Sequence, residues 1–150
     1  MQQCNLSDLS GAQFPFTDRR GGMLVVSPGS DGEVVFQRSG RSYEVVANTN
    51  EATSAHAMPY DRRHQTANDE LQRIVDGATP CSAEQLPSIL SRVAQRHGSS
   101  ETSYSYVFDL TNGLLYLYAW HEFSRFTCFR ISELLDVDAQ VFYEIGGLHP

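Results

Sequence analysis

Short runs rich in valine and aromatic residues alternate with polar turn formers in the first third of the chain. The runs are MLVVS at Met23–Ser27, EVVFQ at Glu33–Gln37 and YEVVAN at Tyr43–Asn48. Such runs are typical of β-strands, and the turn clusters PGSDG and RSGRS between them are too short for a parallel crossover. The pattern therefore predicts an antiparallel meander of three strands, preceded by an irregular lead-in over residues 1–21.

The spacing of apolar residues then changes to that of an α-helix. Over residues 61–75 they recur at i, i+4, i+7 and i+8, and a second stripe begins after Ser82 and continues until Gly98. Ser82 and Gln85 have the spacing of a capping box, which marks a helix start. These patterns predict two helices, and a loop over residues 49–60 joins them to the meander.

The strand pattern resumes after the second helix, over residues 103–110, 114–120 and 126–131. The sequence TNG at 111–113 joins the first two of these runs, and Asn-Gly favours a hairpin because both residues tolerate positive φ. Ser132 opens a short helix or a turn. The order of three strands, two helices and three strands predicts an α+β fold with helices packed on antiparallel sheet.

Composition adds limits to this picture. A chain of 150 residues with 41% hydrophobic content fits a single globular domain over 1–150. Its three cysteines show no C-x-x-C spacing, so we expect neither a disulfide framework nor a zinc site, and a reducing cytoplasm is the expected location. The sequence has neither a secretory leader nor an apolar stretch of roughly 18 residues. We therefore expect no membrane association.

Charge narrows the classes of partner. The net charge is -7, and all 11 basic residues are arginine. An acidic field repels phosphate backbones, and the arginines are scattered along the sequence, so nucleic acid is not an expected partner. The absence of lysine excludes mechanisms that use a lysine nucleophile, a Schiff base or a P-loop.

Common catalytic and metal-binding patterns are not found. Ser105 is not part of a G-x-S-x-G elbow, so a serine hydrolase triad is not predicted. No H-E-x-x-H spacing occurs among the histidines, and we expect neither a metal nor a cofactor. The five histidines are His56, His64, His97, His121 and His149.

Aromatic residues alternate along two of the later runs. They have two interpretations, either a stacking platform for a nucleobase or ordinary packing on a sheet. The acidic charge of the chain favours packing. The residues are Tyr104, Tyr106 and Phe108 in one run and Tyr116, Tyr118 and Trp120 in the other.

Four strings occur in an order and spacing that are together more specific than any one of them. They are the strand pair MLVVSPGSDGEVVFQ, the string VVANTN at 45–50, Arg63-His64 at a helix start, and TSYSYVFD at 102–109 before a YLY strand. This series resembles the second half of the N-terminal-nucleophile (Ntn) hydrolases that act on linear amide bonds. That group includes choloylglycine hydrolases, penicillin acylases and related acyltransferases. The resemblance covers about residues 22–135.

The resemblance implies a layered αββα fold, of which this chain is the C-terminal portion with antiparallel sheet and two helices. In that group an N-terminal cysteine attacks the amide carbonyl, and its own α-amino group, with a pKa of roughly 7.7 to 8, acts as the base. The matched positions assign an oxyanion-binding side-chain amide to Asn48 or Asn50. They also assign to Arg63 support of the nucleophile or binding of a substrate carboxylate. The implied substrate is a small-molecule amide.

The same residues also have local interpretations. Asn48 and Asn50 could each start a loop by bonding their own backbone, which asparagine does often. Arg62 and Arg63 lie at a helix start, where the helix dipole disfavours cations, and Arg62 is interpreted as a solvated residue paired with Asp61 or Asp69. The placement of Arg63 indicates a reason outside helix stability.

The family strings do not include the segment that carries the nucleophile. Cys4 follows Met1-Gln2-Gln3 and leads into a polar coil, so we interpret it as an ordinary exposed thiol. We expect a partial half that is inactive alone and that associates with itself or with its N-terminal half. Two further hypotheses stay open. One is a catalytically inactive relative, and the other is a stand-alone α+β module that binds a protein through an edge strand or the aromatic hairpin.

Overall fold

The computed structural model describes residues 12–31, 33–47, 62–77, 80–96 and 101–136. The chain forms two compact units, Met1–Arg73 and Ile74–Pro150, called here the first and the second unit. Along the described residues the elements are β1 (Phe14–Thr17), β2 (Met23–Pro28), β3 (Val34–Arg38), α1 (Arg62–Asp76), α2 (Leu86–Val93), β4 (Tyr104–Asp109), β5 (Leu114–Ala119), β6 (Thr127–Arg130) and α3 (Ile131–Leu135).

The first unit contains an antiparallel sheet in the order β1-β2-β3. β1 lies where the sequence pattern predicts an irregular lead-in, and that prediction is wrong over these four residues. Pro15 is compatible with β1 because an edge strand has one side on which no N–H is needed. Asp18 closes the β1–β2 turn, since its Oδ1 accepts hydrogen bonds from the backbone N–H groups of Arg20 and Gly22 at 2.8 and 2.9 Å.

The predicted strand over Tyr43–Asn48 is also wrong in its described part, because residues 43–47 are irregular. Side chains hold this segment in place. The Gln13 amide donates from Nε2 to the Ala47 carbonyl at 2.8 Å, and the Tyr43 hydroxyl donates to Gln72 Oε1 at 2.8 Å. Gln72 lies on α1, so the segment is fastened to the helix by a side-chain contact.

The two faces of the first sheet differ in burial. Val25 and Ser27 are buried and lie on one face of β2. Phe16 and Phe36 lie on the other face, and each exposes more than half of its surface. This sheet therefore has one covered face and one open aromatic face.

The second unit contains an antiparallel sheet in the order β4-β5-β6. α2 packs against β4, and α3 follows β6 directly. Buried side chains form the core of this unit, because Ile89 of α2, Val107 of β4 and Tyr118 of β5 are each less than 10% exposed. The three strands of this sheet and the helix packed on it are those that the sequence pattern predicts.

The two long helices confirm the periodicity, with differences at their ends. α1 spans Arg62–Asp76, close to the predicted 61–75. α2 begins only at Leu86, because Ser82 and Gln85 form a turn in which the Ser82 N–H donates to Gln85 Oε1 at 3.0 Å. It ends at Val93, before the predicted stop, since Ala94 takes an extended backbone.

The β4–β5 hairpin has a four-residue turn over 110–113 rather than a two-residue Asn-Gly turn. Only Gly113 of this turn takes a positive φ, of 68°. Asn112 acts differently from the prediction, because its backbone N–H and its Nδ2 both donate to the Asp109 carboxylate, at 3.0 and 2.7 Å. The hairpin is thus confirmed, with a different turn.

The described residues confirm the α+β class: they form two small antiparallel sheets of three strands each and three helices. The layered αββα arrangement stays a proposal. None of the helices in these ranges is long and apolar enough to cross a membrane.

Candidate functional site

A cavity of about 240 Å³ lies in the first unit, at the end of the β2–β3 pair. Its apolar lining comes from Val25 and from residues 45–47, while Gln13, Glu44, β3 and the turn after β3 supply the larger, polar part. We call it the arginine-flanked cavity. The lining residues used below are Val25, Gln37, Arg38, Arg41, Glu44 and Ala47.

Strand register places two of these residues next to each other. Val25 and Gln37 are partners in the β2–β3 ladder, so their side chains lie on the same face of the sheet. Arg38 is the last residue of β3, and Arg41 follows after the Ser39-Gly40 turn. The Arg41 N–H donates to Ser39 Oγ at 3.2 Å, which keeps this turn tight. Because Arg38 pairs with Leu24, its side chain lies on the face of the sheet opposite Val25.

The opposite wall is held by a hydrogen bond at each end. One is the Gln13 bond to the Ala47 carbonyl. The other comes from the Tyr43 hydroxyl, which donates to Gln72 Oε1 at 2.8 Å and has Asn68 Oδ1 as a second, more distant acceptor at 3.3 Å. The wall is therefore anchored at both of its ends, which favours a preformed cavity over one that must be created by a ligand.

Charge at the rim is unbalanced. Within the described part of the chain, the Arg38 and Arg41 guanidinium groups make no hydrogen bond or ion pair, and neither does the Glu44 carboxylate. All three residues line the cavity, so two arginines and one glutamate lie around it, none of them paired with another described residue.

The structure describes only part of the VVANTN string that carries the predicted asparagines. Val45, Val46 and Ala47, which begin the VVANTN string, line the cavity. Asn48 and Asn50, which follow in the same string, lie outside the described residues. The prediction that one of them donates to an oxyanion therefore stays a prediction.

Arg63, the third predicted site residue, is the second residue of α1 and is partly exposed. It has an interaction partner, so it is not a free cation. Its helix carries the Gln72 side chain that anchors segment 43–47. Shared placement of Arg63 and the asparagines in one cleft is a prediction still to be tested.

Sequence reasoning did not identify the cavity rim. Arg38 and Arg41 lie on either side of the Ser39-Gly40 turn in the sequence RSGR, which was interpreted only as a turn cluster. Two arginines three residues apart across a tight turn mark the end of a strand, and this spacing was the available signal. Gln13 gave no signal, because its partner is 34 residues away in sequence.

The second unit has a wider concavity, of about 570 Å³, between the start of α2 and the β4–β5 hairpin. Partial burial raises the pKa of Tyr116, and the charges of Cys128, Asp109 and Glu84 raise it further. Hydrogen bonds from Asn112 lower the pKa of Asp109. The Asp109 carboxylate already accepts two hydrogen bonds from Asn112, so its role is to stabilise the hairpin.

His121 also has a structural role. Its Nε2 lies 3.0 Å from the Gln95 carbonyl oxygen, and its Nδ1 lies 3.7 Å from Glu101 Oε1. The short contact at Nε2 therefore fastens the ring to the backbone at Gln95. The residue sits in the turn after β5, where Trp120 and His121 take positive φ values of 47° and 64°.

The described ranges contain no group of three or more His, Cys, Asp or Glu side chains that could hold a metal ion. No family model matches the sequence, and it matches neither a curated protein nor a solved structure. The case for a function therefore depends on the residues and on the geometry of the cavity.

Proposed function

We propose that this chain is the C-terminal, substrate-binding portion of an Ntn-type enzyme that hydrolyses or transfers acyl groups at linear amide bonds. The observation that carries the proposal is the course of the VVANTN string. Its first three residues line the arginine-flanked cavity, and the chain continues directly from Ala47 into Asn48. An amide side chain at such a position can donate to the oxyanion of an acyl-transfer step.

The chemistry of the proposed site follows from how an amide reacts. Attack on the carbonyl puts negative charge on its oxygen, and a fixed amide N–H stabilises that charge more in the transition state than in the ground state. Removing one such donor typically lowers the rate by about 10² to 10³. In the proposal Asn48 or Asn50 supplies this donor, and Arg63 supports the nucleophile or the substrate.

The construction of each sheet supports the layered part of the proposal. A layered α+β fold needs sheets with one covered face and one apolar face open to another layer. In the second unit α2 packs on β4, and Val107 is buried. Tyr106 and Phe108 point from the same strand to the other face and are each 52% exposed.

Side-chain amide signals in NMR test the proposed donor directly. We expect titration of the chain with the neutral amide hexanoylglycinamide to shift the side-chain NH₂ signal of Asn48 or Asn50. The Asn112 signal is an internal control, since Asn112 is bonded to Asp109 in the second unit. Binding that leaves both asparagine signals unchanged, or no binding, would overturn the proposal.

Turnover is expected to be absent for the chain alone. None of the matched strings carries the nucleophile, so a panel of linear acyl amides should not be hydrolysed above the uncatalysed rate. The measurement is product formation with the wild-type chain and with Cys4→Ala. Robust turnover that Cys4→Ala abolishes would contradict this expectation and would make Cys4 the nucleophile.

A second candidate function is protein binding through β4. β4 is an edge strand of its sheet, and Tyr104, Tyr106 and Phe108 form a row of side chains that are each 52% exposed. Adjacent rings contact each other, with centroids 6.4 and 5.3 Å apart. An exposed aromatic row on an unprotected edge is typical of a surface that another chain covers.

A further inference from the structure

We propose that Asn112 is a site of deamidation, and that its conversion to a carboxylate opens the turn of the β4–β5 hairpin. The reagents are the backbone of the chain itself and water. Its reactivity comes from the sequence Asn112-Gly113, and its effect on the turn comes from the contact between Asn112 and Asp109. The site lies in the second unit and is independent of the proposed function.

The glycine after Asn112 makes this asparagine the most reactive one in the chain. Deamidation begins when the backbone nitrogen of the next residue attacks the side-chain amide carbon, and a Cβ atom on that next residue crowds the approach. Only Asn112 precedes a glycine. The other asparagines precede leucine, threonine, glutamate and aspartate, and they are Asn5, Asn48, Asn50 and Asn68.

The structure leaves room for the reaction. Asn112 is exposed in the hairpin turn, so water reaches its side chain. Gly113 has a φ of 68°, and a Cβ atom added to it would meet no atom within 4 Å. The side of the glycine on which a side chain would stand is therefore open, and the attacking nitrogen and its target belong to adjacent residues. The attack is thus a unimolecular step.

The reaction consumes one water molecule and releases ammonia. The Gly113 nitrogen loses its proton and bonds to Cγ of Asn112, while the Cγ–Nδ2 bond breaks and the amide nitrogen takes up a proton and leaves as ammonia. Water then opens the cyclic imide at either of its carbonyls. Opening at Cγ gives aspartate, and opening at the backbone carbonyl gives isoaspartate. Both products carry a carboxylate in place of the amide.

The amide matters because it closes the turn. Asn112 Nδ2 donates to Asp109 Oδ2 at 2.7 Å, and the Asn112 backbone N–H donates to Asp109 Oδ1 at 3.0 Å. A carboxylate has no hydrogen to donate, so conversion removes the first of these bonds. It also places a second negative charge beside Asp109, which is charged at neutral pH because hydrogen bonds from Asn112 lower its pKa.

The neighbouring groups do not neutralise the added charge. The concavity that Asp109 and Asn112 share has no lysine, arginine or histidine among its described lining residues. A β6 arginine lies in the same cross-strand row as Asp109, and its own partner is a glutamate at 3.8 Å. The titratable groups around the pair are Cys81 and Glu84 before α2, Tyr116 of β5, and Arg130 of β6 with its partner Glu133.

Mass spectrometry of the aged protein locates the reaction. The full chain is incubated at body temperature and mildly alkaline pH, then digested, and the loss of amide at each asparagine is followed with time. We expect most of the early loss at Asn112, with both aspartate and isoaspartate in the product. Asn112→Gln is the control, because its longer side chain would have to close a larger ring, and position 112 should then stay unconverted.

Thermal melts of designed variants test the effect on the turn. Asn112→Asp reproduces the aspartate product and should lower the Tm at neutral pH by about 5 °C. Asn68→Asp makes the same change on α1, where Asn68 Oδ1 lies 3.3 Å from the Tyr43 hydroxyl, and should change the Tm by less than about 2 °C. Asp109→Asn combined with Asn112→Asp exchanges the amide and the carboxylate, and should restore most of the lost Tm.

The pH dependence has a defined sign. In Asn112→Asp the two neighbouring carboxylates raise the pKa of the pair, because a shared proton relieves their repulsion. Stability is therefore present at low pH and is lost as the pH rises through that pKa. We expect the Tm of Asn112→Asp to rise between about pH 7 and about pH 5 relative to that of wild type and of Asn68→Asp.

Each result decides one part of the proposal. Early amide loss at other asparagines with Asn112 intact, or no loss at all, would overturn the deamidation site. A Tm of Asn112→Asp equal to that of Asn68→Asp at every pH would overturn the effect on the turn. Failure of the exchanged pair to recover the lost Tm would show that repulsion from Asp109 is not the cause.

Discussion

At the residue scale, a few side chains determine both the candidate chemistry and the local stability. Arg41 and Glu44 place opposite charges at the rim of the cavity, and neither makes an ion pair with another described residue. Ser27, in contrast, is a polar residue that the fold buries. Its hydroxyl is buried at 1% exposure and has no hydrogen-bond partner among the described residues.

Removing the unpaired hydroxyl should therefore be favourable. A buried polar group without a partner costs about 1 to 3 kcal/mol, so Ser27→Ala should raise the free energy of unfolding by about 1 kcal/mol. Urea denaturation measures this. Ser88→Ala is the control, because Ser88 is exposed on α2, and its effect should stay within about 0.5 kcal/mol. A clear loss of stability in Ser27→Ala would mean that its hydroxyl is bonded in solution.

Asp109 makes stability depend on pH in a defined direction. Hydrogen bonds from Asn112 hold the pKa of Asp109 below its ordinary value of 3.8. Its contribution is therefore complete above that value and is lost as the pH falls through the lowered folded-state pKa. We expect the Tm to fall between about pH 5 and pH 2, and to fall less steeply in Asp109→Asn. Equal slopes in the two proteins would contradict this role.

At the element scale, the β4–β5 hairpin differs from its prediction in the turn and not in the strands. The β4–β5 turn places only Gly113 in the left-handed region. Asn112 is instead used as a donor to Asp109, and the ladder from Tyr104 to Asp109 is continuous despite the longer turn. The conformation of one glycine thus fixes how the hairpin closes.

Substitution of that glycine should be costly while a matched glycine tolerates the same change. Gly113→Ala should lower the free energy of unfolding by about 1 kcal/mol, because a left-handed conformation is unfavourable for a residue with a Cβ atom. Gly40→Ala should be neutral or stabilising by about 0.4 to 1 kcal/mol, since it gives the unfolded chain fewer conformations. A Cβ atom added at either position would meet no atom within 4 Å, so sterics do not separate the two variants. Thermal melts that rank them equally would contradict the argument.

At the scale of the whole molecule, the open aromatic faces matter most. Phe16 and Phe36 lie on the open face of the first sheet, and Tyr104, Tyr106 and Phe108 on that of the second. Three of the four sheet edges are protected in part, because β1 contains Pro15, and β3 and β6 end in arginine. β4 carries no charge or proline before Asp109. It is the edge best suited to pair with another chain.

Association of the isolated chain tests this view. Light scattering should show a mass above that of the 16.8 kDa monomer, rising with concentration. Tyr106→Glu should shift the chain toward monomer, because it places a charge in the middle of the exposed row. Thr111→Glu adds the same charge in the hairpin turn and should not. A monomer at all concentrations with a cooperative melt would instead favour the stand-alone module.

Much of this organisation was determined by the sequence alone. Apolar spacing predicted α1, α2 and β4–β6 because local periodicity reflects which side of an element is buried. What the sequence could not give were β1, the irregular course of 43–47 and the cavity rim. These depend on contacts between residues far apart in the chain, such as Gln13 with Ala47 and Tyr43 with Gln72, which leave no periodic signal. The tertiary structure therefore decided which arginines line the cavity, because only folding brings the ends of those separate segments together.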